Sequence, residues 1–154
     1  MSVGVRSLDE LAIAQRLHHI VTQCCRGLDR GDDQLVRDCF HGDAAPPDVE
    51  ASEGAGQHVV TNHHLFGIRG DVATTETYWQ HRAIGGDGAL IESFGRHLDR
   101  FERRAGQWRI AERVTIVESA HVDRDGIDPS VAFAAAVEPE GPHIGRPHVD
   151  GVVA

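Results

Sequence analysis

The residues in this chain that could perform acid–base chemistry are Asp29 and His58. Asp29 lies two positions before Gly31 at the predicted end of the first helix, where the helix dipole disfavours a carboxylate. His58 begins a predicted strand and can point into the space between the sheet and that helix. A carboxylate bonded to an imidazole fixes its tautomer and raises its basicity, as proton abstraction near neutral pH requires. A His–Asp dyad is therefore one interpretation, and a solvated Asp29 in an acidic protein is the other.

A cation, Arg113, lies well inside the last predicted strand. One interpretation is a cross-strand ion pair with Asp99, Glu102 or Glu112. The other is a functional cation that faces a ligand. The residue pattern alone leaves both open.

Eleven histidines raise the question of a metal site. His18 and His19 are adjacent on a helix and diverge, and His63 and His64 are adjacent on a strand and should point to opposite faces. The sequence contains no H-E-x-x-H, Walker loop, G-x-G-x-x-G or G-x-S-x-G motif. We therefore expect no protein-bound metal and no cofactor.

Net charge and cysteine content limit the expected binding partners and cellular compartment. The 154 residues carry a formal net charge of -9, which disfavours nucleic acid and anionic lipid as partners. No segment approaches the roughly 18 to 20 apolar residues that cross a bilayer. Cys24, Cys25 and Cys39 lack C-x-x-C spacing, as expected of free thiols in a reducing compartment. We expect a cytoplasmic protein with a small-molecule substrate or ligand.

The helical part of the chain comes first. Ser7 and Glu10 form a capping box before apolar residues at three- and four-residue steps, so a helix should run from there to Gly31. Asp32 or Asp33 can cap a short second helix. The stretch 43–57 has the Pro, Gly and acidic content of a mobile, exposed loop.

From Gln57 the apolar pattern changes to period two, which predicts four or more antiparallel strands in a meander. The last two strands should form a hairpin around Ala105-Gly106. The fold class is α+β, with residues 1–122 as one domain and 123–154 as a loosely held tail. We expect five buried residues in particular: Leu17, Val21, Phe101, Ile110 and Val114.

Four stretches carry a family resemblance: GLDRGDDQLVRDCFHGDA, QHVVTNHHL, TETYW and GRHLDRFERRAGQWRIAERV. Over roughly residues 7–120 the chain resembles the SnoaL-like branch of the nuclear transport factor 2 (NTF2-like) superfamily, which includes scytalone dehydratase and hexachlorocyclohexane dehydrochlorinase. The resemblance implies a cone, with helices packed in the concave face of a bent sheet. Relatives bury the outer sheet face in dimers or trimers, so it also implies a homo-oligomer.

The resemblance also implies a site. Asp29 and His58 match the catalytic aspartate and histidine of those enzymes, and Arg113 matches a pocket arginine. Where the dehydrochlorinase has a lysine, this chain has Cys24, a poor leaving-group donor. If His58 points inward, strand alternation places Val60, Asn62 and His64 on its face unless a bulge intervenes. The expected pocket set is Cys24, Val60, Asn62, His64, Tyr78 and Trp79.

The expected function is a cofactor-independent, dehydratase-like lyase or isomerase acting on a small, cyclic, apolar substrate. His58 would be the base, Asp29 its partner and Arg113 the stabiliser of negative charge. One alternative is a ligand-binding module of the same fold without activity. Another is a structural subunit resembling the β subunit of ring-hydroxylating dioxygenases.

Overall fold

Two helices precede four strands along the chain. The structure is a computed structural model that describes residues 7–47 and 56–123. The elements are α1 (Leu8–Arg30), α2 (Asp33–Asp38), β1 (Gly56–Arg69), β2 (Val72–Ile84), β3 (Leu90–Arg104) and β4 (Gln107–Asp123). The predicted order of helices first and sheet second is confirmed.

Both ends of α1 are set by the predicted capping residues. Ser7 Oγ accepts a hydrogen bond from the Glu10 N–H, and the Glu10 carboxylate accepts one from the Ser7 N–H, both at 3.2 Å. Gly31 ends the helix with a φ of 65°, a left-handed conformation that glycine adopts without strain. The cap fixes the last turn of α1, from which Asp29 projects.

The four strands form one antiparallel sheet in the order β1-β2-β3-β4. The turn between β3 and β4 places Ala105 at a φ of 50° and Gly106 at 78°, which suits a two-residue hairpin. Each strand pairs with its neighbour in sequence. The predicted meander is confirmed.

The core lies between α1 and one face of the sheet. Leu17 and Val21 of α1 and Phe101 and Ile110 of the sheet are all 0% exposed, as predicted. Burying one such side chain contributes roughly 1.5–3 kcal/mol to folding. After α2, the chain is tied to β4 because the Ile110 N–H donates to the Cys39 carbonyl at 2.8 Å.

Irregular pairing between β3 and β4 reverses which residues face the helix. Arg100 pairs with Glu112, but Phe101 pairs with Ile110, so Ala111 has no partner on β3. This bulge shifts the alternation of β4 by one position. The prediction that Val114 is buried was wrong: its side chain is 49% exposed.

Two predictions fall on parts of the chain that are not described. The predicted mobile loop 43–57 lies mostly outside the described residues. The same holds for the predicted tail, 123–154, except for Asp123, which ends β4. Within 7–47 and 56–123, no helix is long and apolar enough to cross a membrane.

Candidate active site

The last turn of α1 and the first residues of β1 bring Asp29 and His58 together. Asp29 Oδ1 lies 2.6 Å from His58 Nδ1. The carboxylate also accepts the backbone N–H of His58, at 2.9 Å to Oδ1 and 3.0 Å to Oδ2. One carboxylate therefore fixes both the backbone and the ring of the histidine. The side chains of Asp29 and His58 remain 20% and 14% exposed.

A second imidazole, His81, completes this cluster. It is the partner of His58 in the β1–β2 register, and the two rings stack with centroids 4.2 Å apart. Gly56 makes room for it, since a Cβ there would lie 2.5 Å from His81 Nε2. Burial and the nearby His58 lower the pKa of His81, which favours its neutral form. The sequence analysis did not identify His81. It could have been found by pairing the two predicted strands across the Gly70-Asp71 turn, which brings a histidine opposite His58.

Asp29, His58 and His81 also have the donor set of a metal site. Each offers one ligand atom, and the three atoms lie within 4.8 Å of one another. Two imidazoles and a carboxylate suit Zn²⁺ or Fe²⁺. However, Asp29 already holds the His58 ring, so a metal would have to displace that hydrogen bond. Residue spacing along the chain does not reveal this converging set, because the register between β1 and β2 creates it.

The remaining pocket predictions divide between the two faces of the sheet. Val60 packs against the core and Trp79 is 6% exposed, so both lie on the helix-facing side. Asn62, His64 and Tyr78 are exposed, in contrast to Val60 and Trp79. A bulge between Val60 and His63 adds a residue to β1 and reverses its alternation beyond that point.

The same bulge turns His63 inward in place of His64. The His63 ring lies 5.1 Å from that of His18 on α1, and its Nδ1 lies 2.7 Å from Thr77 Oγ1. Burial, with the charge of His18, lowers the pKa of His63 to about 4. His63 therefore stays neutral at pH 7, and it is His63, not His64, that shares the helix-facing side with His58.

Arg113 enters the interior but is already paired. Its Nε and Nη2 donate to the Asp99 carboxylate at 2.6 and 2.7 Å, and the two side chains are 5% and 0% exposed. Burial opposes the charge of Arg113, but Asp99 more than offsets this and raises its pKa above the usual range. Among the described residues, Arg113 has no hydrogen bond to Asp29 or His58. Of the two interpretations, the cross-strand ion pair is the one observed.

Cys24 lies in the hydrophobic core at 0% exposure. Arg113 Nη1 donates to its Sγ at 3.4 Å. The nearby Cys39 thiol and the charge of Arg113 outweigh burial and lower the pKa of Cys24 to about 7. Cys24 thus contacts the ion pair beneath the site and is covered from the solvent that reaches the dyad.

Comparison with protein families gives a match over part of the chain. A SnoaL-like domain model matches residues 47–114. None of the curated proteins matches the sequence significantly.

Solved structures show the same fold at low sequence identity. The hexachlorocyclohexane dehydrochlorinase LinA-type3 from Novosphingobium barchaimii LL02 is 15% identical, with a TM-score of 0.66 over 86% of this chain and 99% of that one. A candidate scytalone dehydratase from Novosphingobium aromaticivorans is 12% identical, with a TM-score of 0.64 over 87% and 97%. The β subunit of a candidate aromatic-ring-hydroxylating dioxygenase from the same species is 19% identical, with a TM-score of 0.58 over 73% and 93%. Residues 47–114 thus match a SnoaL-like domain, and the chain shares with these structures an α+β fold in which helices precede an antiparallel sheet.

Proposed function

We propose that the protein is a cofactor-independent lyase or isomerase, related in chemistry to dehydratases, that removes a proton from carbon in a small cyclic substrate. The observation that carries this proposal is the 2.6 Å contact between His58 Nδ1 and Asp29 Oδ1. With Nδ1–H donating to the carboxylate, the lone pair of Nε2 is free to accept a proton. Asp29 then stabilises the imidazolium that forms.

The anchoring of Asp29 supports this role. Its carboxylate also accepts the backbone N–H of His58, so the ring and the strand that carries it are held by the same group. A base held in one orientation needs little reorganisation before proton transfer. The neutral ring of His81 covers one face of His58 and restricts its rotation.

Arg113 has a different role from the one its position in the family suggests. Because Asp99 takes both of its strongest hydrogen bonds, we assign Arg113 to ordering the interior and not to direct contact with a leaving group. The proposed reaction therefore needs another source of stabilisation for the developing negative charge.

Exchange of carbon-bound hydrogen for deuterium tests the proposal without knowledge of the product. Small cyclic ketones are incubated with the protein in D₂O, and deuterium uptake next to the carbonyl is followed by NMR. Replacing His58 by Ala should lower the protein-catalysed rate by about two to four orders of magnitude, as for loss of a general base. His64→Ala is the matched control, because His64 lies on the same strand but is exposed. Equal rates in wild type and His58→Ala would leave only a ligand-binding module.

We also propose a homo-oligomer that covers the outer face of the sheet. Outward-facing apolar side chains remain exposed there: Val59, Phe66, Val72, Tyr78, Phe94 and Val114. A second copy of the chain would remove this surface from water. A cytoplasmic location fits the three free cysteines.

A further inference from the structure

Three metal-ligating side chains, Asp29, His58 and His81, come from three different elements and meet at one place. Asp29 lies in the last turn of α1, His58 near the start of β1, and His81 opposite His58 on β2. One ligand atom from each lies within 4.8 Å of the others. Within residues 7–47 and 56–123, no other three His, Cys, Asp or Glu side chains converge in this way. The cluster therefore contains one ligating group more than the dyad needs.

The spacing of these atoms is close to that of a Zn²⁺ site. Zn²⁺ binds imidazole nitrogen and carboxylate oxygen in a tetrahedron, which places neighbouring ligand atoms about 3.3 Å apart. Asp29 Oδ1 and His58 Nδ1 are 2.6 Å apart, so they must separate by about 0.7 Å to accept an ion in place of the proton between them. The His81 nitrogen must approach by at most about 1.5 Å. Small side-chain rotations supply both movements.

The surroundings of His81 allow its ring to make this movement. The ring is stacked on that of His58 at an interplanar angle of 28°, and stacked rings cannot point both lone pairs at one ion, so coordination turns His81 out of the stack. Gly56 leaves space beside Nε2, where a Cβ would lie only 2.5 Å away. Among the described residues, no hydrogen bond holds the ring nitrogens of His81. The ring can therefore turn without losing a polar partner.

The charges near the cluster favour a cation. Asp29 supplies a carboxylate, and the whole chain has a formal net charge of -9. Arg82, next to His81 on β2, points to the opposite face of the sheet and pairs with Glu92 at 3.0 Å. All three side chains of the cluster are partly exposed, so water can supply a fourth ligand.

We propose that Asp29, His58 and His81 bind one Zn²⁺ ion, and that this ion inhibits the protein by taking the lone pair that the base needs. The inhibitory part of this inference rests on the proposed proton abstraction by His58. The ion competes with the proton that Asp29 and His58 share in the metal-free protein. The protein is then active only where free Zn²⁺ is scarce.

Inhibition follows from the single lone pair of a neutral imidazole. The ring of His58 has one nitrogen with a proton and one with a lone pair. If Zn²⁺ binds Nδ1, the proton that Nδ1 donated to Asp29 moves to Nε2, which then has no lone pair. If Zn²⁺ binds Nε2, it uses that lone pair directly. In both cases His58 cannot accept a proton from carbon, and no electrons are transferred.

The donor set also predicts which ions bind. Imidazole nitrogen is a good ligand for Zn²⁺, whereas Mg²⁺ prefers oxygen ligands and keeps several of its water molecules. Two imidazoles and one carboxylate should therefore bind Zn²⁺ in preference to Mg²⁺. Mg²⁺ serves as the control for a general effect of divalent charge.

Calorimetry with tag-free, metal-stripped protein tests the site without any substrate. Wild-type protein should bind one Zn²⁺ ion per chain tightly and should not bind Mg²⁺. His81→Phe keeps an aromatic ring beside His58 but removes the ligand atom, so Zn²⁺ affinity should fall by more than about tenfold. His64→Phe, the same change at an exposed histidine of β1, should bind Zn²⁺ as wild type does. If His81→Phe does not fold by circular dichroism, Asp29→Asn replaces it, because an amide is a poor ligand for Zn²⁺.

NMR of protein with ¹⁵N-labelled histidine shows the fate of the lone pair without turnover. In metal-free protein, the unprotonated ring nitrogen of His58 should resonate far downfield of a protonated one. One equivalent of Zn²⁺ should remove this downfield resonance, which is assigned by its absence in His58→Ala. Saturation with Zn²⁺ while the resonance stays in place would overturn the proposal.

Deuterium exchange into a cyclic ketone measures the effect on the proposed reaction. One equivalent of Zn²⁺ should lower the rate of wild type by about two orders of magnitude or more, as for loss of the base, and EDTA should restore it. The rate of His81→Phe, compared with its own metal-free value, should change little at the same Zn²⁺ concentration. Equal inhibition of the two proteins, or a faster rate with Zn²⁺, would overturn the inhibitory site.

The metal site and the catalytic role of His58 fail on different results. If metal-free wild type shows no exchange, but Zn²⁺ binds through His81 and removes the His58 resonance, the metal site is supported and the catalytic role is refuted. If exchange depends on His58, but wild type and His81→Phe bind Zn²⁺ equally, the catalytic role is supported and the metal site is refuted.

Discussion

Acidification should destabilise the fold through two inward-facing neutral histidines, His97 and His63. Burial is the main cause of both low values, about 2 for the pKa of His97 and about 4 for that of His63. The charge of Arg113 also acts on His97, and that of His18 on His63. The ordinary value of 6.5 applies in the unfolded chain, so the unfolded chain takes up protons first as the pH falls. Stability is therefore complete above pH 6.5 and is lost progressively below it.

The size of the stability loss follows from the pH range in which the unfolded chain binds a proton and the folded chain does not. Between pH 6.5 and 4 the pH changes by about 2.5 units, and each unit corresponds to about 1.4 kcal/mol, so His97 contributes a loss of about 3 kcal/mol. His63 adds a smaller loss in the same direction, because its side chain is only partly buried and solvent screens its charge. Because the free energy of unfolding of a domain of this kind is roughly 5–15 kcal/mol, a large share of its stability should be lost at pH 4.

Urea unfolding followed by circular dichroism at pH 7, 5.5 and 4 measures this loss. His97→Asn keeps a polar atom near Nδ1 but cannot take up a proton, so its free energy of unfolding should fall by about 3 kcal/mol less than that of wild type over the range. His64→Asn, at an exposed position on the same strand as His63, should follow wild type. The reasoning fails if His97→Asn and wild type lose stability in parallel.

Three further predictions concern the interior, the assembly and metals. Replacing Arg113 by Met leaves Asp99 buried without a partner and should lower the free energy of unfolding, measured in urea, by about 3–5 kcal/mol. The double variant Arg113→Met, Asp99→Leu should recover most of this loss. If Arg113→Met alone is as stable as wild type, the ion pair does not stabilise the fold. Light scattering should show a homo-oligomer that dissociates in Phe66→Arg, and a wild-type monomer at micromolar concentration would contradict the covered outer face. Dialysis against EDTA should leave the deuterium exchange rate unchanged; a loss that Zn²⁺ restores would assign the dyad and His81 to a catalytic metal site.

The sequence determined the features that depend on local chemistry. The Ser7–Glu10 capping box and Gly31 set the first helix, because each satisfies or bends backbone groups within a few residues. Ala105-Gly106 set the β3–β4 turn for the same reason. The alternation of apolar residues was enough to predict a meander. The resemblance then singled out two residues, Asp29 and His58, whose side chains the fold brings into contact.

Only the tertiary structure decided which side chains face the interior. A bulge adds one residue to one strand, and its position depends on how the neighbouring strand pairs, which the pattern of a single strand does not encode. One bulge turned His63 inward and His64 outward. Another turned Arg113 toward Asp99 and exposed Val114.

The cluster around the dyad depends on contacts between distant parts of the chain in the same way. His81 meets His58 because the two are partners in the β1–β2 register. Trp79 and His97 stack because Gly95 leaves space for the indole. Strand register and the packing of rings across neighbouring strands are cooperative properties of the whole sheet, so the shape and polarity of the site emerge only when all four strands are in place.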